Sequence, residues 1–115
     1  MNIKRGEIYL TSLDPVIGRE ISKTRPGVVV SNDKNNHYSG TVTILPITSK
    51  SLKKIYPFEV LLPKGAGNLP KDSKAKADQI RTLDKRRIVK FIGSLDNEEM
   101  NKIDKAMEIH LALYK

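Results

Sequence analysis

Short runs of apolar residues alternate with polar and turn-forming residues along most of this chain, a pattern typical of β-strands. The clearest run contains Val28, Val29 and Val30 in succession, which favours a central strand buried on both faces. Gly, Pro, Asn and Asp separate the runs, as expected of turns. The pattern predicts about six strands, over residues 7–13, 27–31, 41–48, 56–62, 73–82 and 88–95.

Near the C-terminus the spacing of apolar residues changes from that of a strand to that of a helix. Asp96 and Glu99 have the spacing of a capping box, in which each side chain bonds the backbone N–H of the other residue. The residues expected to share one helix face are Met100, Ile103, Met107, Leu111 and Tyr114. Many short strands and one terminal helix predict a mainly β fold of small-barrel type, and the length fits one domain over residues 1–115.

Two connections between the predicted strands have a distinctive composition. Residues 14–24 form a long charged loop, and long loops in compact domains are often functional. Residues 32–40 are rich in side chains that favour turns and short helical pieces. Pro46 cannot donate a hydrogen bond to a sheet, so it indicates an edge or a bulge. We therefore expect Thr48 and Ser49 to lie where the sheet breaks.

The formal net charge of +8 is unevenly distributed along the 115 residues. Residues 1–95 contain 18 Lys and Arg against 8 Asp and Glu, whereas residues 96–115 contain 3 against 5. Cationic side chains attract polyanions because they replace the counterions of phosphate groups. RNA, DNA and acidic proteins are all compatible with this charge.

The residues that the chain lacks exclude several classes of function. It has no cysteine, which excludes disulfides, thiolate metal sites and cysteine nucleophiles. His37 and His110 have no paired carboxylates at the spacing of a metal site, so no metal cofactor is expected. The N-terminal residues do not show the apolar run of a signal peptide, and together with the absence of cysteine this favours the cytoplasm.

Two groups of polar residues lie beside predicted strand ends. One contains Lys23, Thr24 and Arg25, and the other begins at Thr48 and Ser49. Guanidinium and hydroxyl groups held together can bind a phosphate and stabilise the extra negative charge of a phosphoryl-transfer transition state. The alternative is structural, with Arg25 and Thr48 capping the sheet ends or making surface ion pairs.

The segment 77–84 also contains polar residues within a predicted strand. Asp78 could accept a proton and Gln79 could recognise a base edge, while Arg81 follows two residues later. The alternative is ordinary cross-strand pairing with a solvated face. The adjacent basic run of Lys85, Arg86, Arg87 and Lys90 fits either a solvated turn or phosphate contacts. Tyr38 and Tyr56 are the best candidates for base stacking, although core packing is the favoured interpretation of both.

Several strings occur in the order found in one known family. They are R-G-E-I-Y at 5–9, L-D-P at 13–15, T-R-P-G-V-V-V-S-N at 24–32, P-I-T-S at 46–49, Y-P-F-E-V at 56–60 and A-D-Q-I-R-T-L-D at 77–84. In these strings the chain resembles the MazF/PemK toxins over nearly its whole length. The resemblance implies an SH3-like barrel with a C-terminal helix, a homodimer, and metal-independent cleavage of single-stranded RNA, often mRNA, at short recognition sequences.

The resemblance also implies roles for individual residues. Arg25 and Thr48 match the catalytic pair, which acts as the ribose 2′-oxygen attacks the adjacent phosphorus to give a 2′,3′-cyclic phosphate and a 5′-hydroxyl. The remaining positions implied to contact RNA are Glu20, Lys23, Ser49, Asp78, Gln79 and Arg81. The expected partner is a cognate antitoxin whose acidic disordered tail occupies the RNA groove, and no cofactor is implied.

The sequence departs from the family pattern at two places. In one branch the residue at the Asp78 position is the base, together with an arginine two residues earlier, but here that earlier residue is Lys76. The loop at 19–23 carries Arg19, Ile21 and Lys23 instead of the common Ser, Gln and Gly.

Two alternative functions remain open for this chain, because a similar barrel can serve them. One is a gyrase-poisoning toxin that binds a protein target, and the other is an RNA-binding protein that does not cut RNA.

Overall fold

Seven antiparallel strands and a C-terminal helix make up most of the structure, a computed structural model that describes residues 2–113. The strands are β1 (Glu7–Ser12), β2 (Thr24–Val29), β3 (Thr41–Thr48), β4 (Glu59–Leu62), β5 (Ser73–Lys76), β6 (Arg81–Asp84) and β7 (Ile88–Ser94). The helices are α1 (Asp33–Tyr38) and α2 (Asn97–His110), and 3-10 turns occupy residues 66–68, 77–79 and 85–87. The predicted mainly β fold with a terminal helix is confirmed.

The strands pair in the order β4-β5-β3-β2-β1-β7, and β6 lies beside the first half of β3. Val28 and Val29 lie in β2, between β1 and β3, and both are fully buried. Because consecutive strand residues point to opposite faces, Val28 packs in one cluster with α2 and Val29 packs in a second cluster on the other face. The prediction of a central strand buried on both faces is confirmed.

The single strand predicted over residues 73–82 is wrong. A 3-10 turn at 77–79 divides it into β5 and β6, which pair with different halves of β3. Ala77 is buried in this turn, and its N–H donates to the Phe58 carbonyl at 3.0 Å. The break is fixed by these contacts with distant residues, which the local pattern of apolar residues does not contain.

Pro46 lies inside the sheet, so the edge position suggested for it is wrong. It pairs with Gly27 of β2. On the other side of β3, residues 41–44 pair with β6, whereas Ile47 and Thr48 pair with β5. Pro46 therefore lies where β3 changes partner, and a residue without an N–H is tolerated at such an interruption. β3 ends at Thr48, as expected.

Helix α2 begins with the predicted capping box. Asp96 accepts a hydrogen bond from the Glu99 N–H at 2.7 Å, and Glu99 accepts one from the Asp96 N–H at 3.0 Å. The buried face consists of Met100, Ile103 and Ala106, with Met107 partly buried. The prediction was wrong for Leu111, because the helix ends at His110 and leaves Leu111 exposed.

Tyr114, also predicted on this helix face, lies outside the described residues. Between residues 2 and 113, no helix combines the length and the apolar character needed to cross a membrane.

The loop between β4 and β5 packs closely against β7. A Cβ atom built on Gly93 would overlap the carbonyl group of Gly67, with the carbonyl carbon at 2.7 Å. Gly67 itself has a φ of +54°, which favours glycine. The Asn68 side chain also donates to the Ile92 carbonyl at 3.0 Å. These contacts hold residues 66–70 in place just before β5, where the chain approaches the end of β3.

Candidate active site

Arg25 and Thr48 lie on neighbouring strands and line the same cavity. β2 and β3 pair through Gly27 and Pro46, and continuing this register by two residues brings Arg25 opposite Thr48. The Arg25 carbonyl accepts a hydrogen bond from the Thr11 hydroxyl at 2.8 Å, which fixes the β2 backbone at this point. The cavity has a volume of about 180 Å³. The structure thus brings together the two polar groups that the sequence placed at strand ends.

The opposite wall of the cavity comes from the loop that precedes β5. The residues that complete the lining are Pro26, Ile47, Ser49, Leu69, Pro70, Lys71 and Ser73. Lys71 is exposed and adds a second cation beside Arg25. Nothing in the sequence pattern singled out Lys71 or Ser73. The available signal was weak, because only the pairing of Thr48 with Lys74 shows that the start of β5 lies next to the end of β3.

The local backbone leaves the Thr48 hydroxyl free to donate a hydrogen bond. The Lys50 N–H donates to Thr48 Oγ1 at 3.2 Å. A hydroxyl has two acceptor lone pairs and one O–H donor, so this contact uses an acceptor position only. The O–H hydrogen can therefore point to an anionic oxygen in the cavity. A positioned hydroxyl beside a guanidinium suits the binding of a phosphate group.

Four predicted RNA-contacting residues lie in the 14–24 loop or form hydrogen bonds with the backbone in or next to this loop. Gln79 accepts a hydrogen bond from the Ile21 N–H at 3.2 Å, and Arg81 donates to the Leu13 carbonyl at 3.0 Å. Glu20 accepts from the Ile17 N–H at 2.8 Å. Lys23 is exposed and adopts a φ of +67°. None of these side chains lines the cavity, so the structure places them in the loop next to β2 and not around Arg25 and Thr48.

Asp78 also lies apart from the cavity lining. One carboxylate oxygen is buried without a hydrogen-bond partner among the described residues, and Lys76 Nζ lies 3.7 Å away. Lys76 has a closer partner in Glu59, at 2.7 Å. Burial would lower the pKa of Lys76, but Glu59 and Asp78 raise it above its ordinary value. Lys76 is therefore held as a cation between two carboxylates.

Glu59 is fully buried and accepts hydrogen bonds from two lysines. Lys74 Nζ lies 3.0 Å from one carboxylate oxygen, and Lys76 Nζ lies 2.7 Å from the other. Burial alone would raise the pKa of Glu59, but the bonds from Lys76, from the Tyr56 N–H and from Lys74 hold it below its ordinary value. The sequence pattern predicts Glu59 only as part of a strand, because no local feature indicates that its charge is buried.

Most of the basic run at 85–90 bonds to groups of this chain. Lys85 donates to the Asn36 carbonyl at 2.6 Å, and Arg86 forms a two-point pair with Asp84. Arg87 donates to the Ser12 carbonyl at 3.2 Å and also contacts the Asp14 carbonyl. These cations thus stabilise the turn, which agrees with the interpretation of the run as a turn.

The aromatic candidates are exposed, so core packing was the wrong interpretation for them. Tyr38 is 78% exposed. Tyr56 is 43% exposed, stacks on Phe58 with the ring centroids 5.4 Å apart, and has Lys54 Nζ 4.7 Å from its ring centroid. The faces of the Tyr56 ring are therefore already in contact with Phe58 and Lys54 of this chain.

Within residues 2–113, no three His, Asp or Glu side chains are grouped as a metal site requires.

The fold and the cavity together define a class of protein: a small basic antiparallel β protein with a guanidinium, an ammonium and a hydroxyl on one concave surface. Such a surface suits the backbone of a nucleic acid. The chain belongs to the PemK-like, MazF-like toxins of type II toxin-antitoxin systems, whose family model matches residues 4–111.

Two curated relatives match the chain over nearly its full length. The endoribonuclease MazF9 of Mycobacterium tuberculosis is 40% identical over 117 residues, which cover 97% of this chain and 98% of that protein. The endoribonuclease EndoA of Bacillus subtilis is 39% identical over 113 residues, which cover 98% of this chain and 97% of that protein.

Solved structures of similar proteins have the same fold. MazF of Deinococcus radiodurans superposes with a TM-score of 0.83 at 26% identity, covering 97% of this chain and 98% of that chain. A mycobacterial endoribonuclease in complex with its cognate antitoxin superposes with a TM-score of 0.81 at 25% identity, covering 98% of both chains.

Proposed function

We propose that this chain is a sequence-specific, metal-independent endoribonuclease toxin that cleaves single-stranded RNA, mRNA above all, in the cytoplasm. The observation that carries the proposal is that Arg25, Thr48 and Lys71 line the same cavity. The names of the curated relatives, both endoribonucleases at about 40% identity, support it. Residues 1–115 would act as one toxin domain.

The reaction that fits the cavity is an internal transfer of the phosphodiester. The ribose 2′-oxygen forms a bond to phosphorus while the bond from phosphorus to the 5′-oxygen breaks. The 2′-hydroxyl proton passes to solvent, and the leaving 5′-oxygen takes a proton from solvent. The products are a 2′,3′-cyclic phosphate and a 5′-hydroxyl.

Arg25 and Thr48 would act by stabilising charge. A guanidinium has a pKa above about 12, so Arg25 is a poor proton donor and a good partner for the phosphorane oxygens. Thr48 would donate its O–H to a non-bridging oxygen, in the orientation that the Lys50 N–H leaves open. Lys71 and Ser49 would hold the flanking phosphates. Glu20, Lys23, Gln79, Arg81 and Asp78 would contact RNA further along, through the 14–24 loop and the turn that supports it.

The proposed partners are a cognate antitoxin and a second copy of the chain. The excess of cations in residues 1–95 favours an acidic antitoxin tail that competes with RNA for the same surface. A structure of a relative in complex with its cognate antitoxin supports this proposal. Leu61 of β4 and Ile109 of α2 are exposed and line one groove, which supports a homodimer that covers this apolar surface.

The decisive experiment incubates the purified chain with a long labelled single-stranded RNA in excess EDTA and maps the ends. We expect discrete cuts with cyclic-phosphate ends. Arg25→Ala and Thr48→Ala should each lower kcat on the order of 100-fold or more, as loss of one transition-state donor does elsewhere.

Thr82→Ala is the matched control for Thr48→Ala, because Thr82 is exposed and its hydroxyl bonds Thr43 near the start of β3. Intact RNA across many sequences would reject the nuclease in favour of a binding module. Cuts that persist in both cavity variants would reject the assigned residues.

A further inference from the structure

A buried lysine lies next to Thr48 and is not explained by the proposed chemistry. Lys74 pairs with Thr48, so both side chains point to the same face of the sheet. The Lys74 side chain is only 4% exposed. Its ammonium lies 2.9 Å from the Ser51 carbonyl, 3.3 Å from the Lys54 carbonyl and 3.0 Å from Glu59. All three N–H donors of the ammonium are therefore used.

Burial of this ammonium is costly, so its role extends beyond simple packing. Taking a charged group out of water costs several kcal/mol, and a well-packed apolar residue is often as stable as a buried ion pair. Two of the three partners of Lys74 are backbone carbonyls in the segment that follows Thr48. The ammonium therefore fixes the path of residues 49–54.

That segment has a backbone conformation that needs support. Ser51 has a φ of +56°, a conformation that residues other than glycine adopt only rarely. Such residues persist where surrounding contacts hold them. The carbonyl of this same residue is the one closest to the Lys74 ammonium, at 2.9 Å.

The fixed segment in turn contacts the Thr48 hydroxyl. The Lys50 N–H lies between Thr48 and Ser51 in the chain and donates to Thr48 Oγ1. A change in the path of this turn would move that N–H and release the hydroxyl to rotate. In phosphoryl chemistry, a displacement of about 1 Å at a reacting group can cost on the order of 100-fold in rate.

We propose that Lys74 is a positioning residue of the active site, whose ammonium holds the turn at 49–54 and thereby aims the Thr48 hydroxyl at the scissile phosphate. This inference rests on the proposed ribonuclease function. Lys74 does not line the cavity, so it acts through the turn and not on RNA.

Lys74→Met tests the proposal because it keeps an unbranched side chain as far as the Cε position and removes the ammonium. Glu59 would keep its bond to Lys76, so the variant does not leave a buried carboxylate without a partner. We expect kcat to fall about 10-fold to 100-fold while KM changes less than about twofold. A fall in kcat at constant KM is the signature of an interaction made in the transition state.

Lys85→Met is the matched control. Lys85 also donates to a backbone carbonyl, that of Asn36, but near the start of β3 and away from Thr48. This variant should keep the wild-type kcat. A folded Lys74→Met variant with the wild-type kcat would overturn the proposal, and so would a loss of activity that lies entirely in KM.

Amide hydrogen exchange separates this proposal from the proposed function. In Lys74→Met, exchange at Lys50 and its neighbours should accelerate while the β2 amides keep their protection. This measurement does not need RNA cleavage. If the wild type cuts no RNA, the proposed function fails; if exchange at 49–54 is unchanged, the positioning role fails whatever the activity.

A second variant keeps the test valid if Lys74→Met does not fold. Lys50→Pro deletes the N–H that bonds Thr48, and Lys50 is exposed. Lys50→Gln removes the same charge and keeps the N–H. We expect Lys50→Pro to lower kcat at least 10-fold relative to Lys50→Gln, and equal kcat values in the two variants would contradict the proposal.

Discussion

Glu59 shows how a single residue can stabilise a fold through charge. Its carboxylate is fully enclosed, yet each oxygen has its own lysine, and the Tyr56 N–H adds a bond at 3.0 Å. Removing one partner from a buried pair is costly because it leaves the other charge uncompensated. Glu59 therefore holds β4, β5 and the segment before β4 together.

Replacement of Glu59 should change the dependence of stability on pH. The pKa of Glu59 is below its ordinary value of 4.5, so its contribution is present above that pH and is lost as the pH falls through the folded-state pKa. Glu59→Gln should lower the free energy of unfolding by roughly 3–5 kcal/mol near neutral pH. The difference from wild type should shrink in acid.

Urea unfolding between pH 3 and pH 7 would measure this difference, with Glu108→Gln as an exposed control that should change stability by less than about 0.5 kcal/mol. A deficit in Glu59→Gln that stays constant across this range would refute the assignment.

At the level of residues, the sequence pattern singled out Arg25 and Thr48 but not Lys71, which lines the same cavity. Their strings at 24–26 and 46–49 carry the resemblance, and both lie at ends of predicted strands. Lys71 and Lys74 carry no such local signal. Their positions depend on the pairing of β5 with β3, which only the folded chain establishes.

The secondary-structure elements were predictable where the residues that define them are close together in the sequence. The valines of β2 and the capping box of α2 contain their own signals, and both were found in the structure. The division between β5 and β6 was missed because a long-range bond, from the Ala77 N–H to the Phe58 carbonyl, fixes the turn. An edge or a bulge was predicted at Pro46 because a proline is usually excluded from central strands; it lies instead where β3 changes partner.

The contact of the 66–70 loop with β7 should affect the cavity. In Gly93→Ala, the added Cβ would overlap the Gly67 carbonyl, so the loop must move. Overpacking of this kind costs about 1–3 kcal/mol. Because the same loop leads to Lys71, we expect weaker RNA binding as well as a lower midpoint in thermal unfolding.

Gly40→Ala is the matched control for Gly93→Ala, since a Cβ at Gly40 meets no atom within 4 Å. Wild-type stability and RNA affinity in Gly93→Ala would show that the loop adapts without consequence for the cavity.

At the level of the whole molecule, the charge of +8 predicts binding to RNA that weakens as salt rises. The logarithm of the association constant should fall linearly with the logarithm of salt concentration, by about 0.7 for each phosphate neutralised on a single strand. Lys71→Gln should reduce this slope by about 0.7 if Lys71 contacts one phosphate.

Binding should be measured in a Thr48→Ala background so that the RNA stays intact. Lys34→Gln, an exposed change on α1 near the start of β3, should leave the slope unaltered. Equal slopes for the Lys71 and Lys34 variants would show that the cavity does not face the RNA backbone.

The dependence of the cavity on β7 also matters while the chain is being made. Arg25, Thr48 and Lys71 leave the ribosome before Gly93, but the loop that leads to Lys71 lacks part of its packing surface until β7 has emerged and paired with β1. Folding during synthesis proceeds from the N-terminal part of the chain. A nascent chain therefore carries every cavity residue before the loop that supports Lys71 has its complete set of contacts, so the site is finished only when the last strand is in place.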